Sequence, residues 1–179
     1  MNTMSESPVV TLRAMEPEDL DLLYQIENDK NLWGVGATNV PYSRYVLHDY
    51  VANSSGDIYT DKQVRLMVDC QQQTVDCQQQ TIRIVDLINF SPKHCRAEVG
   101  MVLMPSYRGK GLGEMILQEL AQYAKTVLHL HQLYAVIGVD NAPAIHLFGK
   151  IGYSAGRVLT DWLFDGTQYQ DAVLMQRVL

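Results

Sequence analysis

The longest regular pattern in the chain is helical. Apolar residues recur every three or four positions through about four turns, at Leu112, Ile116, Leu117, Leu120, Ala124, Val127 and Leu128. This spacing is typical of a helix that buries one face. The segment before it, Glu98 to Met104, is short and apolar and is followed by Pro105, as expected of a buried strand. We therefore predict a buried strand followed by a long amphipathic helix.

Shorter patterns on both sides predict the remaining elements. Strands are expected at 9–13, 63–69, 81–89, 133–139, 158–164 and 169–175, and further helices at about 17–28, 43–52 and 144–150. The last two strands meet at Asp165-Gly166, a strong turn signal. The predicted order is β-α-α-β-β-β-α-β-α-β-β, a mixed α/β layer fold. A single domain is expected over 8–179, after a flexible segment 1–7.

A heptapeptide is duplicated between the second and third predicted strands. The letters VDCQQQT run from Val68 to Thr74 and again from Val75 to Thr81. An insertion of odd length inside a paired strand would turn its side chains to the opposite face of the sheet. We therefore expect the second copy to form a longer hairpin loop, where extra residues cost little.

Composition narrows the classes of function. A net charge of -6 argues against general nucleic-acid binding and suits a cationic substrate. No apolar run reaches membrane-spanning length and the first seven residues are polar, so we expect a cytoplasmic protein without a membrane partner. The three cysteines have no zinc-site or disulfide spacing. The histidines lack a completing ligand set, so no metal is expected.

The predicted buried strand 98–104, called the central strand, is joined to the long helix by residues 108–113. This segment has the sequence RGKGLG and is called the glycine loop. Its glycines let the backbone approach a ligand, while the helix N-terminus and two basic side chains add positive charge. A nucleotide-hydrolase loop would need Ser or Thr after Lys110, and a dinucleotide fingerprint would need glycine in place of Glu114. The pattern therefore indicates another phosphate ligand, or a turn with solvated basic residues.

Two motifs together carry a family resemblance. The glycine loop and the segment Asn141-x-x-Ala144-x-x-x-Phe148-x-x-x-Gly152-Tyr153 resemble those of the GNAT superfamily of N-acetyltransferases. Within it the chain looks closest to bacterial spermidine N-acetyltransferases. The resemblance implies a mixed, mostly antiparallel central sheet with flanking helices. It also implies acetyl-CoA as co-substrate and transfer of acetyl to a primary amine.

The same resemblance assigns roles to individual positions. Backbone groups of Val102, Leu103 and Met104 would hold the pantetheine arm and the thioester oxygen. The glycine loop, which comprises Arg108, Gly109, Lys110, Gly111, Leu112 and Gly113, would hold the pyrophosphate. Asn141, Ala144 and Phe148 would complete the cofactor site, and Trp33 would lie at the substrate site.

Glu98 is the candidate proton acceptor. An alkylammonium must lose a proton before it can attack, at a cost of roughly 4 kcal/mol at neutral pH. A carboxylate at the start of the central strand can accept that proton or anchor the substrate. The alternative is a surface carboxylate paired with Arg96.

Phe148 departs from the family pattern. Relatives carry a tyrosine there, which protonates the leaving thiolate, whereas phenylalanine cannot donate. Tyr153 and Tyr134 are candidate substitutes, and water is another. Two hypotheses follow: an N-acetyltransferase acting by direct attack on a polyamine-like amine, another small amine or a protein N-terminus, or a degenerate acyl-CoA-sensing module with little turnover. Whether the protein forms a homo-oligomer stays open at this point.

Overall fold

The protein is built on one seven-stranded sheet. A computed structural model describes residues 8–30, 40–71, 79–101 and 109–179. The strand order is β1-β2-β3-β4-β5-β7-β6, and among the described strands only β4 and β5 are parallel neighbours. The strands are β1 Val9–Arg13, β2 Val64–Gln71, β3 Gln79–Ser91, β4 Arg96–Met101, β5 Gln132–Gly138, β6 Ser154–Phe164 and β7 Tyr169–Val178. The predicted mixed, mostly antiparallel sheet is confirmed.

Five α-helices flank the sheet within the described ranges. They are α1 Leu20–Glu27, α2 Arg44–Asn53, α3 Ile58–Asp61, α4 Leu112–Thr126 and α5 Ala142–Lys150, and a short 3-10 turn, Pro17–Asp19, precedes α1. The side chains of Ser43, Asp57 and Asn141 accept backbone N–H groups at the starts of α2, α3 and α5. The sequence analysis placed the other helices within a few residues of these bounds but missed α3.

The helices lie on opposite faces of the sheet. Residues of α4 and α5 share the larger core with Leu66 and Val68, whereas α1 and α2 share a smaller one with Met67. Successive strand residues point to opposite faces, so this alternation separates the two helix layers. On β4, Ala97 and Val99 belong to the larger core. Glu98 therefore faces the side of α1 and α2.

The two copies of the heptapeptide pair with each other. Gln71 of the first copy faces Gln79 of the second, and Asp69 faces Thr81. The prediction that the whole second copy forms a loop is therefore wrong for its last three residues, which belong to β3. Residues 72–78 lie outside the described ranges.

A polar network explains why Thr81 stays in the sheet. Its hydroxyl donates to Asp69 at 2.6 Å and accepts from Arg13 at 2.9 Å. Arg13 also donates to Asp69 at 2.8 Å and to Asp19 at 2.7 Å. The hydrogen bond from Arg13 holds the pKa of Asp19 below its ordinary value. The end of the repeat thus completes a largely buried charge cluster.

The described parts of the chain lack two kinds of feature. No helix there is long and apolar enough to cross a membrane. No group of three or more His, Cys, Asp or Glu side chains is arranged there to hold a metal ion.

Candidate active site

The two parallel strands part in the middle of the sheet. Their pairing runs from Arg96–Gln132 through Ala97–Leu133 to Glu98–Tyr134, and the described residues beyond that pair have no partner across the gap. Each strand continues with its other neighbour, since Met101 of β4 still faces β3 and Gly138 of β5 still faces β7. We call the point of separation, Glu98 with Tyr134, the fork. Beyond the fork, the described backbone groups of β4 and β5 are not paired with each other across the gap.

The glycine loop ends at the start of α4. Gly109 and Gly111 have φ angles of 74° and 75°, in the left-handed region that favours glycine. Gly111 is the N-cap of α4 and supplies no side chain to it, in contrast to the capping residues of α2, α3 and α5. The first-turn N–H groups of Leu112, Gly113 and Glu114 are therefore suited to an anion. The described part of the loop fits the predicted phosphate site.

An ion pair balances the charge at this helix start. Glu114 lies in the first turn of α4, where its carboxylate would repel a bound phosphate. Lys150 at the end of α5 donates to it at 2.5 Å. Lys110 adds a further exposed positive charge beside the helix. The sequence analysis missed Lys150, because a contact between two helices has no signal in a local pattern.

Glu98 is half-buried on the face of the sheet that carries α1 and α2. Its carboxylate accepts from the Asn89 side chain at 2.8 Å. Burial, together with the neighbouring Glu98 carboxylate, raises the pKa of the Tyr134 hydroxyl. An ion pair between Glu98 and Arg96, the alternative raised from the sequence, is not among the ion pairs of the described residues. The fork thus holds a carboxylate between an amide and a phenol.

Phe148 and Tyr153 lie in the larger core. Their rings meet edge to face, with centroids 4.9 Å apart. The Tyr153 hydroxyl is buried and has no hydrogen-bond partner in the described part of the chain. Burial raises the pKa of Tyr153, and the charge of Arg177 opposes that effect. Of the two candidate substitutes for the missing donor, Tyr134 is the one that lies at the fork.

Of the remaining candidate site residues, some lie within the described ranges of the structure and others lie outside them. Asn141 accepts the N–H of Ala144 at 3.2 Å, so its side-chain oxygen caps α5. Trp33, Val102, Leu103, Met104 and Arg108 lie outside the described residues, and their assigned roles stay predictions.

Comparison with known proteins decides the family. The sequence model of the acetyltransferase (GNAT) domain family matches residues 10–154. The chain belongs to the GNAT acetyltransferase family. It is 30% identical over 173 residues to the spermidine N(1)-acetyltransferase of Escherichia coli, which covers 96% of this chain and 87% of that protein.

Solved structures agree with this assignment. A spermidine N-acetyltransferase from Vibrio cholerae, in complex with CoA and spermine, superposes with a TM-score of 0.78 at 27% identity, covering 94% of this chain and 95% of that one. A dodecameric structure of the Vibrio cholerae enzyme in an intermediate state gives a TM-score of 0.74 at 28% identity, covering 94% and 93%. The likeness to these structures covers 94% of the chain, so it includes both the fork and the start of α4, where no side chain caps the helix.

Proposed function

We propose that this GNAT protein transfers the acetyl group of acetyl-CoA to a primary amine of a polyamine or a similar small amine. Two observations carry the proposal: β4 and β5 separate at Glu98, and no side chain caps the first N–H groups of α4. We place the thioester between the separated strands and the pyrophosphate at the start of α4. Likeness to spermidine acetyltransferases over nearly the whole chain supports an active enzyme over a degenerate acyl-CoA sensor.

Binding of acetyl-CoA is assigned to backbone groups. The N–H groups at the start of α4 would hold the pyrophosphate, with Lys110 and Arg108 adding charge. Beyond the fork, backbone groups of Val102 to Met104 would pair with the pantetheine arm. They would also donate to the thioester oxygen as negative charge develops on it. Asn141 fixes the first turn of α5 beside this site through its cap.

The chemistry requires three proton movements. Glu98 would accept a proton from the alkylammonium, directly or through water, so that the neutral amine can attack the thioester carbonyl. The amine nitrogen then bonds to the acetyl carbon and releases its second proton to water, and the carbon–sulfur bond breaks. The departing thiolate takes a proton from water or from a tyrosine hydroxyl, and we assign this to Tyr134 before Tyr153. Phe148 serves as a packing residue in this scheme.

Charge and the named relatives both favour a polyamine as the acceptor. Polyamines are cationic, and the net charge of -6 favours their approach. The curated relative of Escherichia coli is named for spermidine, and the Vibrio cholerae structure contains spermine. Peptide N-termini are the second class of acceptor, since the residues after Trp33 lack the acidic side chains that would hold a second ammonium group.

We also propose that several copies of the chain assemble through the β6–β7 hairpin. The β6–β7 hairpin exposes more than half of each of Val158, Trp162, Phe164 and Tyr169. Exposed apolar side chains grouped on one hairpin mark a surface for another protein. Because a Vibrio cholerae relative is dodecameric, we assign this surface to another copy of the chain. Light scattering on wild type and Trp162→Ser would test the assignment.

A panel of acceptors tests the catalytic proposal. Spermidine, spermine, putrescine, lysine and short peptides are incubated with acetyl-CoA, and thiol release is followed. We expect turnover with polyamines and little with peptides. Tight acetyl-CoA binding by calorimetry without turnover of any amine would favour the sensing module instead.

A further inference from the structure

A bulge in β3 lies beside the fork. Ile88 faces Glu98 and Ser91 faces Arg96, so two residues of β3, Asn89 and Phe90, lie opposite the single residue between them on β4. Asn89 has a φ of 51°, in the left-handed region that asparagine tolerates better than most residues. The bulge therefore gives a short amide side chain a position next to the active-site carboxylate.

Contacts on the inner side hold the bulge in place. The Phe90 N–H donates to the Lys62 carbonyl at 3.1 Å. The Phe90 ring is buried and meets Tyr59 edge to face at 5.0 Å between centroids. Asn89 itself is exposed. Groups other than the Asn89 side-chain amide thus anchor the backbone of the bulge. The amide is not needed for that purpose.

The side-chain amide of Asn89 instead forms a hydrogen bond with Glu98. The Asn89 Nδ2 donates to Glu98 Oε2 at 2.8 Å. A neutral donor fixes the direction of a carboxylate and reduces its affinity for a proton less than the positive charge of a lysine or arginine partner would. The other polar neighbours are Tyr134 on β5 and Arg96 on β4, and the charge of Arg96 counteracts part of the rise in the pKa of Tyr134. An amide is the partner that suits a general base.

We infer that Asn89 is a positioning residue, which holds the Glu98 carboxylate in the direction of the incoming amine. This inference rests on the proposed function, since Glu98 has a proton to accept only if an amine is acetylated. It adds a residue from β3 to a site otherwise built from β4, β5 and α4.

Two substitutions separate this role from a structural one. Asn89→Gly keeps the left-handed backbone and removes the amide, while Asn89→Asp keeps the shape and puts a second carboxylate against Glu98. For Asn89→Gly we expect kcat/KM to fall roughly tenfold, since a misdirected base loses alignment. For Asn89→Asp we expect the acid limb of the pH profile to move up by about one pH unit, because two adjacent carboxylates are harder to ionise together.

Matched controls are available in the same chain. Asn53 in α2 donates to Asp49 at 2.8 Å, so Asn53→Asp makes the same chemical change outside the fork. We expect it to leave the pH profile unchanged. A double-mutant cycle with Glu98→Gln is the second control: if Asn89 acts through Glu98, Asn89→Gly should lower kcat/KM no further once the carboxylate is gone.

Three outcomes of these measurements would count against the inference. Wild-type turnover with an unchanged rate and pH profile in both Asn89 variants would overturn the inference and leave the proposed function standing. Loss of the fold or of acetyl-CoA affinity in both variants would make Asn89 a structural residue and would overturn it too. An inactive wild type would remove the proposed function, and the inference with it.

Discussion

Glu98 and Tyr134 form the last pair that joins β4 to β5, and the two strands separate beyond them. Both side chains point to the face of the sheet that carries α1 and α2, away from the core under α4. In the proposed function, a thioester between the strands and an amine arriving from that face would meet at this pair. Each of the two side chains carries a group that can take part in proton transfer.

Tyr134→Phe tests the second member of this pair. Burial and the Glu98 carboxylate raise the pKa of Tyr134, so its hydroxyl stays protonated through the neutral range and should give wild type no basic limb below about pH 10. We expect the substitution to lower kcat roughly tenfold without weakening acetyl-CoA binding. Tyr123→Phe is the control, because burial alone raises the pKa of that hydroxyl. Equal rates in the two variants would exclude a role for Tyr134.

Gly111→Val tests the glycine loop. The left-handed backbone and the approach of a phosphate both disfavour a β-branched side chain there, so acetyl-CoA affinity should fall at least tenfold. Gly56→Val imposes the same strain at a φ of 67° in a loop outside the site, with nothing within 4 Å of the new Cβ in either case. Calorimetry that finds the same affinity in both folded variants would remove the phosphate site.

Phe148→Tyr introduces the hydroxyl that the family resemblance implies at this position. If only the proton donor is missing, kcat should rise roughly tenfold or more with little change in KM for acetyl-CoA, because the donor acts as charge develops on sulfur.

Tyr153→Phe is the companion variant. It removes a buried hydroxyl without a partner, so the free energy of unfolding should stay the same or rise by up to about 1 kcal/mol. A lower kcat in Tyr153→Phe would identify Tyr153 as the donor.

Deletion of residues 75–81 tests the repeat. Thr74 then precedes Ile82 and takes the place of Thr81 opposite Asp69, so the polar network can re-form. We expect the free energy of unfolding to change by no more than about 1 kcal/mol. Thr81→Val in the full-length chain removes the same hydroxyl without replacement and should cost about 1 to 2 kcal/mol. A deletion variant less stable than Thr81→Val would contradict this view.

Arg13→Met tests the charge cluster. The pKa of Asp19 is lowered in the folded state, so the stability from its ionised form is present above the ordinary carboxyl pKa of about 4 and is lost as the pH falls below it. Removal of Arg13 takes away the cation that bonds both Asp19 and Asp69 and should cost about 3 kcal/mol at neutral pH. The difference from wild type should shrink below about pH 4. The exposed Arg157→Met should show neither effect in urea titrations.

The sequence by itself determined most of the elements and indicated the kind of ligand. Helical spacing placed α4, alternation and turn residues placed the outer strands, and the glycine loop indicated a phosphate group, because each of these signals is local. The two motifs implied the family, which the comparisons confirmed. The repeat was misjudged, since the pairing of Thr81 with Asp69 depends on a partner strand and on Arg13 of β1.

Only the tertiary structure decided which side chains meet at the site. The separation of β4 from β5 depends on hydrogen bonds between strands that are distant in the sequence, and it singles out Tyr134 over Tyr153. The link from Asn89 to Glu98 needs a bulge that turns one residue of β3 towards β4. Lys150 reaches Glu114 because α5 lies beside α4. Such contacts follow from the packing of whole elements, and a local residue pattern carries no record of them.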